Sequence, residues 1–188
     1  MRIFIAALIG AVVFFIWGFV AHTVLPFGEM GMKVATNQEA TLGAMQAAGN
    51  AAPGVYVVPG MSPEAYRDDA QREAFIAKYK DSPGAFIVYD PSPNPVMTSM
   101  APNLMKQFIS GYFVCLLAAW IMASSAVGFG TRVAMGGAMG LLAWFATSIP
   151  YWNWYRFPMD FTVGALLDYG LGLLIASVPM AWWLGRRR

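Results

Sequence analysis

Two side chains carry most of the chemistry this sequence offers: Asp168 and His22. Asp168 stands about seven residues into the last of four long apolar runs, and an ionisable group inside a membrane-length segment is by default a functional-site hypothesis. Gly164, Asp168, Gly172 and Ala176 are spaced four apart and share one helical face. A ridge of small residues lets another helix approach closely, so the face reads first as a helix–helix contact held by a hydrogen bond from the carboxyl. A ligand, ion or proton site is the alternative, and snorkelling to the outer surface is a third reading. His22, the single histidine, lies at the end of the first run, four residues after Gly18. With Trp17 it reads as an interface anchor; the alternative is that it reaches Asp168 to make a pH-sensitive pair. His22, Ser110, Thr147 and Ser148 are the candidate donors to Asp168 at similar depth.

The elements that must position these residues are membrane spans. Of 188 residues 58% are hydrophobic and only 12% charged, with a mean hydropathy of +0.52. A water-soluble domain of ordinary composition carries about twice that share of charge. The runs Ile3 to Val24, Met105 to Ala126, Val133 to Trp152 and Phe161 to Leu184 each supply the roughly 20 residues that cross about 30 Å of hydrocarbon. A backbone in lipid must satisfy its own hydrogen bonds, so each run is expected to be a helix. The first is read as a retained helix, because Phe19-Val20-Ala21 is a poor cleavage site and the apolar stretch exceeds a usual signal core.

Arg2, Arg132 and Arg186 to Arg188 have no acidic residue beside them and fall on one side of a four-span chain. The positive-inside rule therefore predicts cytoplasmic N- and C-termini in the cell inner membrane, with Lys106 and Arg156 as minor exceptions on the outer side. Residues 1–24 form the first span, 25–104 an extracytoplasmic (periplasmic) domain, and 105–188 the other three spans with an arginine-rich cytoplasmic C-terminus.

The outer segment repeats weakly. Pro53-Gly54-Val55-Tyr56-Val57-Val58 matches Pro83-Gly84-Ala85-Phe86-Ile87-Val88, a Pro-Gly turn leading into a β-branched and aromatic run. Each follows a helical stretch. The first is expected to start at Thr36 with Glu39 three residues on, a capping-box pattern. The second is expected to start at Ser62, with Pro63 in the first turn, and to run to about Lys80. A third short strand is expected near Val96 to Met100, after the stiff Asp90 to Pro95 linker. The fold class is thus a membrane α-helical bundle of four transmembrane helices with a small α/β extramembrane domain inserted between helices 1 and 2. Two strands alone are marginal in water, so the domain is expected to lean on the membrane helices, on another copy or on a partner.

Other features have plain structural readings. Tyr151, Trp152, Trp154, Tyr155 and Phe157 form an outer aromatic belt, with lipid or quinone-like ring binding as a second role; Trp182 and Trp183 form an inner one. Gly136 and Gly140 make a helix-packing pattern. Pro179 is expected to kink the last helix. Cys115 is expected to be an inert packing residue. The lone cysteine excludes an intrachain disulfide, and the lone histidine a His-based metal cluster. A net charge of +2 gives no reason to expect nucleic acid. No signature of a hydrolase, zinc protease, redox dithiol or nucleotide loop is present. No catalytic, cofactor-binding or metal-binding residue is therefore assigned.

The end of the first run, Trp17…His22-Thr23-Val24-Leu25-Pro26, the segment Gly54-Val55-Tyr56, and Trp154-Tyr155-Arg156-Phe157-Pro158 before the Asp-bearing last helix together resemble a group of small uncharacterised bacterial inner-membrane proteins. The likeness covers most of the chain and implies only the architecture and a bacterial location. The expected function is that of a non-catalytic accessory, assembly or partner-binding protein. Its partners are the lipid bilayer and a protein partner or second copy, met through the outer domain and small-residue helix faces. A small transporter or channel component using Asp168 is the alternative, and a membrane enzyme is the third.

Overall fold

The computed structural model describes residues 1–48 and 52–186. Arg187 and Arg188 of the terminal arginine triplet lie outside the described residues. The chain divides into two compact units, Met1–Lys33 with Pro95–Arg188, and Val34–Asn94.

The first unit is a helical bundle. Its elements are α1 (Arg2–Thr23), α5 (Ala101–Ala123), α6 (Phe129–Tyr155) and a last helix made of α7 (Met159–Ala165), a π-helical turn (Leu166–Gly170) and α8 (Leu171–Gly185). Among the described residues these are four helices long and apolar enough to cross a membrane. The core lies where α1, α5 and α8 meet. It is built from Ala6, Ala7, Ala11, Cys115, Ala118, Ala119, Met122, Ala176 and Met180. Small side chains let the backbones close up, and Met180 fills the groove over Gly10, where a β-carbon would collide with its thioether. Phe14 of α1 packs against this core, whereas Phe4, Leu8, Ile16 and Phe19 are exposed. Cys115 is fully buried.

Both glycines of the Gly136/Gly140 pattern face the last helix. Ser177 occupies the space where a side chain on Gly136 would go, and the backbone of Gly170 crosses Gly140. Pro179 stands inside α8 and Pro150 inside α6, and both helices run through. At one end of the bundle Arg2 donates to the carbonyls of Leu184 (2.9 Å), Trp183 and Arg186, and Arg132 donates to that of Met122 (3.2 Å). These cations satisfy carbonyls that helix C-termini leave open.

The second unit is narrower than the expected 25–104 segment. Residues 27–29 form a 3₁₀ turn that packs on α1 and α7 instead. The unit runs helix, strand, helix pair, strand: α2 (Gln38–Ala47), β1 (Gly54–Val58), α3 (Pro63–Arg67), α4 (Asp69–Tyr79) and β2 (Ala85–Tyr89). Both expected strands form, and they pair antiparallel from Gly54↔Tyr89 to Val58↔Ala85.

Three local expectations need correction. Asn37, not Thr36, caps α2, its side chain accepting from the Ala40 amide at 2.9 Å; asparagine is the stronger cap. The helix begun at Ser62, which does accept from the Ala65 amide, does not run unbroken to Lys80. Asp68 turns extended and starts α4 afresh by accepting from the Gln71 amide and side chain, both at 3.0 Å. Those bonds hold its carboxyl below the ordinary carboxylate range. The third strand is absent among the described residues: Pro95–Met97 is a 3₁₀ turn. The fixed ring of Pro95 favours a turn, and its carbonyl accepts from the amides of Thr98 and Ser99, both at 3.0 Å.

Candidate functional site

The site grows from a change of helical pitch. Across Leu166–Gly170 the last helix widens to π geometry, the Leu171 amide reaching back to the Leu166 carbonyl. Such widened turns recur at functional sites. Here the indole N–H of Trp17 bridges the turn, donating to the carbonyls of Leu167 (3.2 Å) and Asp168 (3.0 Å), the latter also reached by the Leu171 amide.

Five residues further along α1, His22 reaches the side chain of the same residue. Its Nε2 lies 3.1 Å from Asp168 Oδ2. The two candidate residues, 146 positions apart, are thus in contact. Asp168 is 6% exposed, whereas the His22 side chain is 45% exposed, so the carboxylate is the buried partner. Asp168 Oδ1 takes no hydrogen bond from a described residue.

Glycines shape the contact. The imidazole of His22 occupies the space beside Gly28 that any side chain there would need. A β-carbon on Gly164 would stand 2.6 Å from the Phe27 carbonyl oxygen, and one on Gly172 2.6 Å from Trp17 Cδ1. Gly31 has a φ of +76°, which favours glycine, and passes over Phe161. The face Gly164, Asp168, Gly172, Ala176 is therefore buried against α1 and the turn after it.

Of the other candidate donors, Thr147 donates to the Ala143 carbonyl of its own helix (2.7 Å), and neither Ser110 nor Ser148 meets Asp168. Trp17 and the π-helical turn were not foreseen as parts of the site. The sequence signal for Trp17 is its position five residues before His22, which put it on the same helix end.

Beside the pair lies a cavity of about 750 Å³ within the helical unit. His22, Thr23, Glu29, Asn103, Gln107 and Asp168 give it polar groups. Phe14, Phe15, Phe19, Phe108 and Leu104 supply the apolar wall. No group of three or more metal-ligating side chains occurs among the described residues. The pair itself can share one proton or fix the imidazole by a charge-assisted hydrogen bond. Comparison of the chain with protein-family models, with curated proteins and with solved structures returns no match.

Proposed function

We propose that the chain is a non-catalytic binding protein of a bacterial inner membrane, anchored by its four apolar helices and offering the unit Val34–Asn94 to a protein partner on the outer side. The observation that carries this reading is one face of the two-stranded sheet. Val55 pairs with Val88 and Val57 with Phe86, and directly opposed residues share a face. Val55, Val57 and Val88 are 58%, 50% and 78% exposed, so the described residues of the unit Val34–Asn94 leave this aliphatic face uncovered. An apolar patch of this kind marks an interaction surface, and each strand of a two-stranded sheet also keeps an open edge for strand addition.

Membrane placement is supported by the exposed Phe4, Leu8 and Ile16, which suit an apolar surrounding. Cytoplasmic termini are supported by the gathering of Arg2, Arg132 and Arg186 at one end of the bundle. The resemblance to small bacterial inner-membrane proteins agrees with both. The alternative, a small transporter or channel component built on Asp168, draws its support from the cavity beside that carboxylate.

A photoreactive side chain at position 55 or 88 tests the partner surface in native membranes. Crosslinked adducts are expected at both positions and not at the exposed Lys80. An adduct of twice the chain's mass identifies a second copy as the partner. Equal yields at all three positions, or none at 55 and 88, would sink the proposal.

A further inference from the structure

The cavity beside Asp168 is graded along its length. On α1 its lining runs from His22 and Thr23 down to Ala11, and on α5 from its capping residue Met100 to Gly111. Eleven residues of helix span about 16 Å at a rise of 1.5 Å per residue. His22, Thr23 and Glu29, all exposed, stand at one end, with Asn103 and Gln107 on the facing helix. Phe14, Phe15, Phe108 and Gly111 line the other end. Its volume falls in the range of small-molecule pockets, about 300–1,000 Å³.

The charges at the polar end are unbalanced. Asp168 and Glu29 are carboxyl groups, and neither Lys106 nor any arginine lines the cavity. Even with His22 protonated, negative groups outnumber positive ones there. Asp168 Oδ1 has no partner among the described residues and Glu29 adds a second carboxyl, while Asn103 and Gln107 offer donors and acceptors alike. A phosphate or carboxylate head would meet repulsion at this end. An ammonium head presents three donors to it, and an apolar tail fits the phenylalanine-lined end.

We propose that this cavity binds one amphiphile with a protonated amine head and an apolar tail, the head against Asp168 and Glu29 and the tail between α1 and α5. The proposal is independent of the partner surface on the second unit.

The test uses the full-length protein in nonionic detergent. Three probes of equal chain length are titrated: a long-chain primary alkylamine, the corresponding fatty acid and the fatty alcohol. Bound molecules are counted by native mass spectrometry. One amine per chain is expected, at least tenfold tighter than acid or alcohol. Asp168→Asn keeps a hydrogen-bonding group against His22 and removes the charge, and it is expected to weaken amine binding about tenfold. Glu29→Gln, on an exposed turn, tests the charge without touching the buried pair and is expected to weaken it about threefold. Gly18→Leu fills the cavity where a β-carbon meets nothing within 4 Å, and it is expected to abolish binding. Acid or alcohol binding as tightly as the amine overturns head recognition. Undiminished binding to Gly18→Leu, or to both charge variants, overturns the site.

Discussion

At the scale of single residues, Asp168 was legible because a carboxyl inside an apolar run must find a partner, whether for packing or for a ligand. Its partner was legible only as the alternative reading of His22, one of four candidate donors. Nothing in spacing tells which helix end meets which, and His22 lies 146 positions away. Trp17 was read as an interface anchor; its indole N–H also donates to the carbonyls of Leu167 and Asp168. A π-helical turn leaves no sequence signature, so that role stayed hidden. The pair makes a definite mutational prediction. Asp168→Asn should keep thermal stability in detergent near that of the parent, because an amide still hydrogen-bonds His22. Asp168→Leu should lose about 1–2 kcal/mol, the range for interhelical hydrogen bonds in membranes. Thermal unfolding of the three proteins side by side decides it: equal midpoints would deny the pair a structural role.

At the scale of elements, hydrophobic run length located all four apolar helices within a few residues, since a membrane-length apolar stretch admits little else. The Pro-Gly turns located both strands. What failed were choices between adjacent cap residues: Thr36 against Asn37, and a continuous helix against the restart at Asp68. Such choices turn on a single hydrogen bond, which composition does not resolve. The Gly136/Gly140 pattern announced a close contact without naming its partner, which is the last helix. A β-carbon at Gly140 would stand 2.7 Å from the Gly170 carbonyl oxygen and 3.0 Å from its Cα, backbone atoms that cannot swing aside. Gly140→Ala should therefore destabilise the bundle by about 1–3 kcal/mol, as overpacking does. Gly130, in the same helix, faces open space, and Gly130→Ala should gain up to about 1 kcal/mol of helix propensity. Matching midpoints for the two variants in a detergent melt would refute the close crossing.

At the scale of the whole molecule, orientation is the outstanding prediction, and it rests on the arginines. In a Cys115→Ala background, single cysteines at Ser82 and Ser125 would be exposed to an impermeant thiol reagent in spheroplasts. Labelling is expected at 82, and at 125 only after permeabilisation; the reverse pattern would invert the topology. The insertion of a separate unit between the first two apolar helices was legible from its shift to acidic, turn-rich composition. The extent of that unit was not, because residues 27–29 pack by shape against α1 and α7 rather than by any local signal. One feature of the bundle also governs how it comes into being. The inner face of α1, Ala6, Ala7, Gly10 and Ala11, closes on α5 and α8, the latter beginning at Leu171. During synthesis at about 5–20 residues per second, the first helix waits on the order of 10–30 s for the last. Throughout that interval its groove of small residues stands unfilled, so the order of emergence leaves α1 uncovered before it is part of a fold.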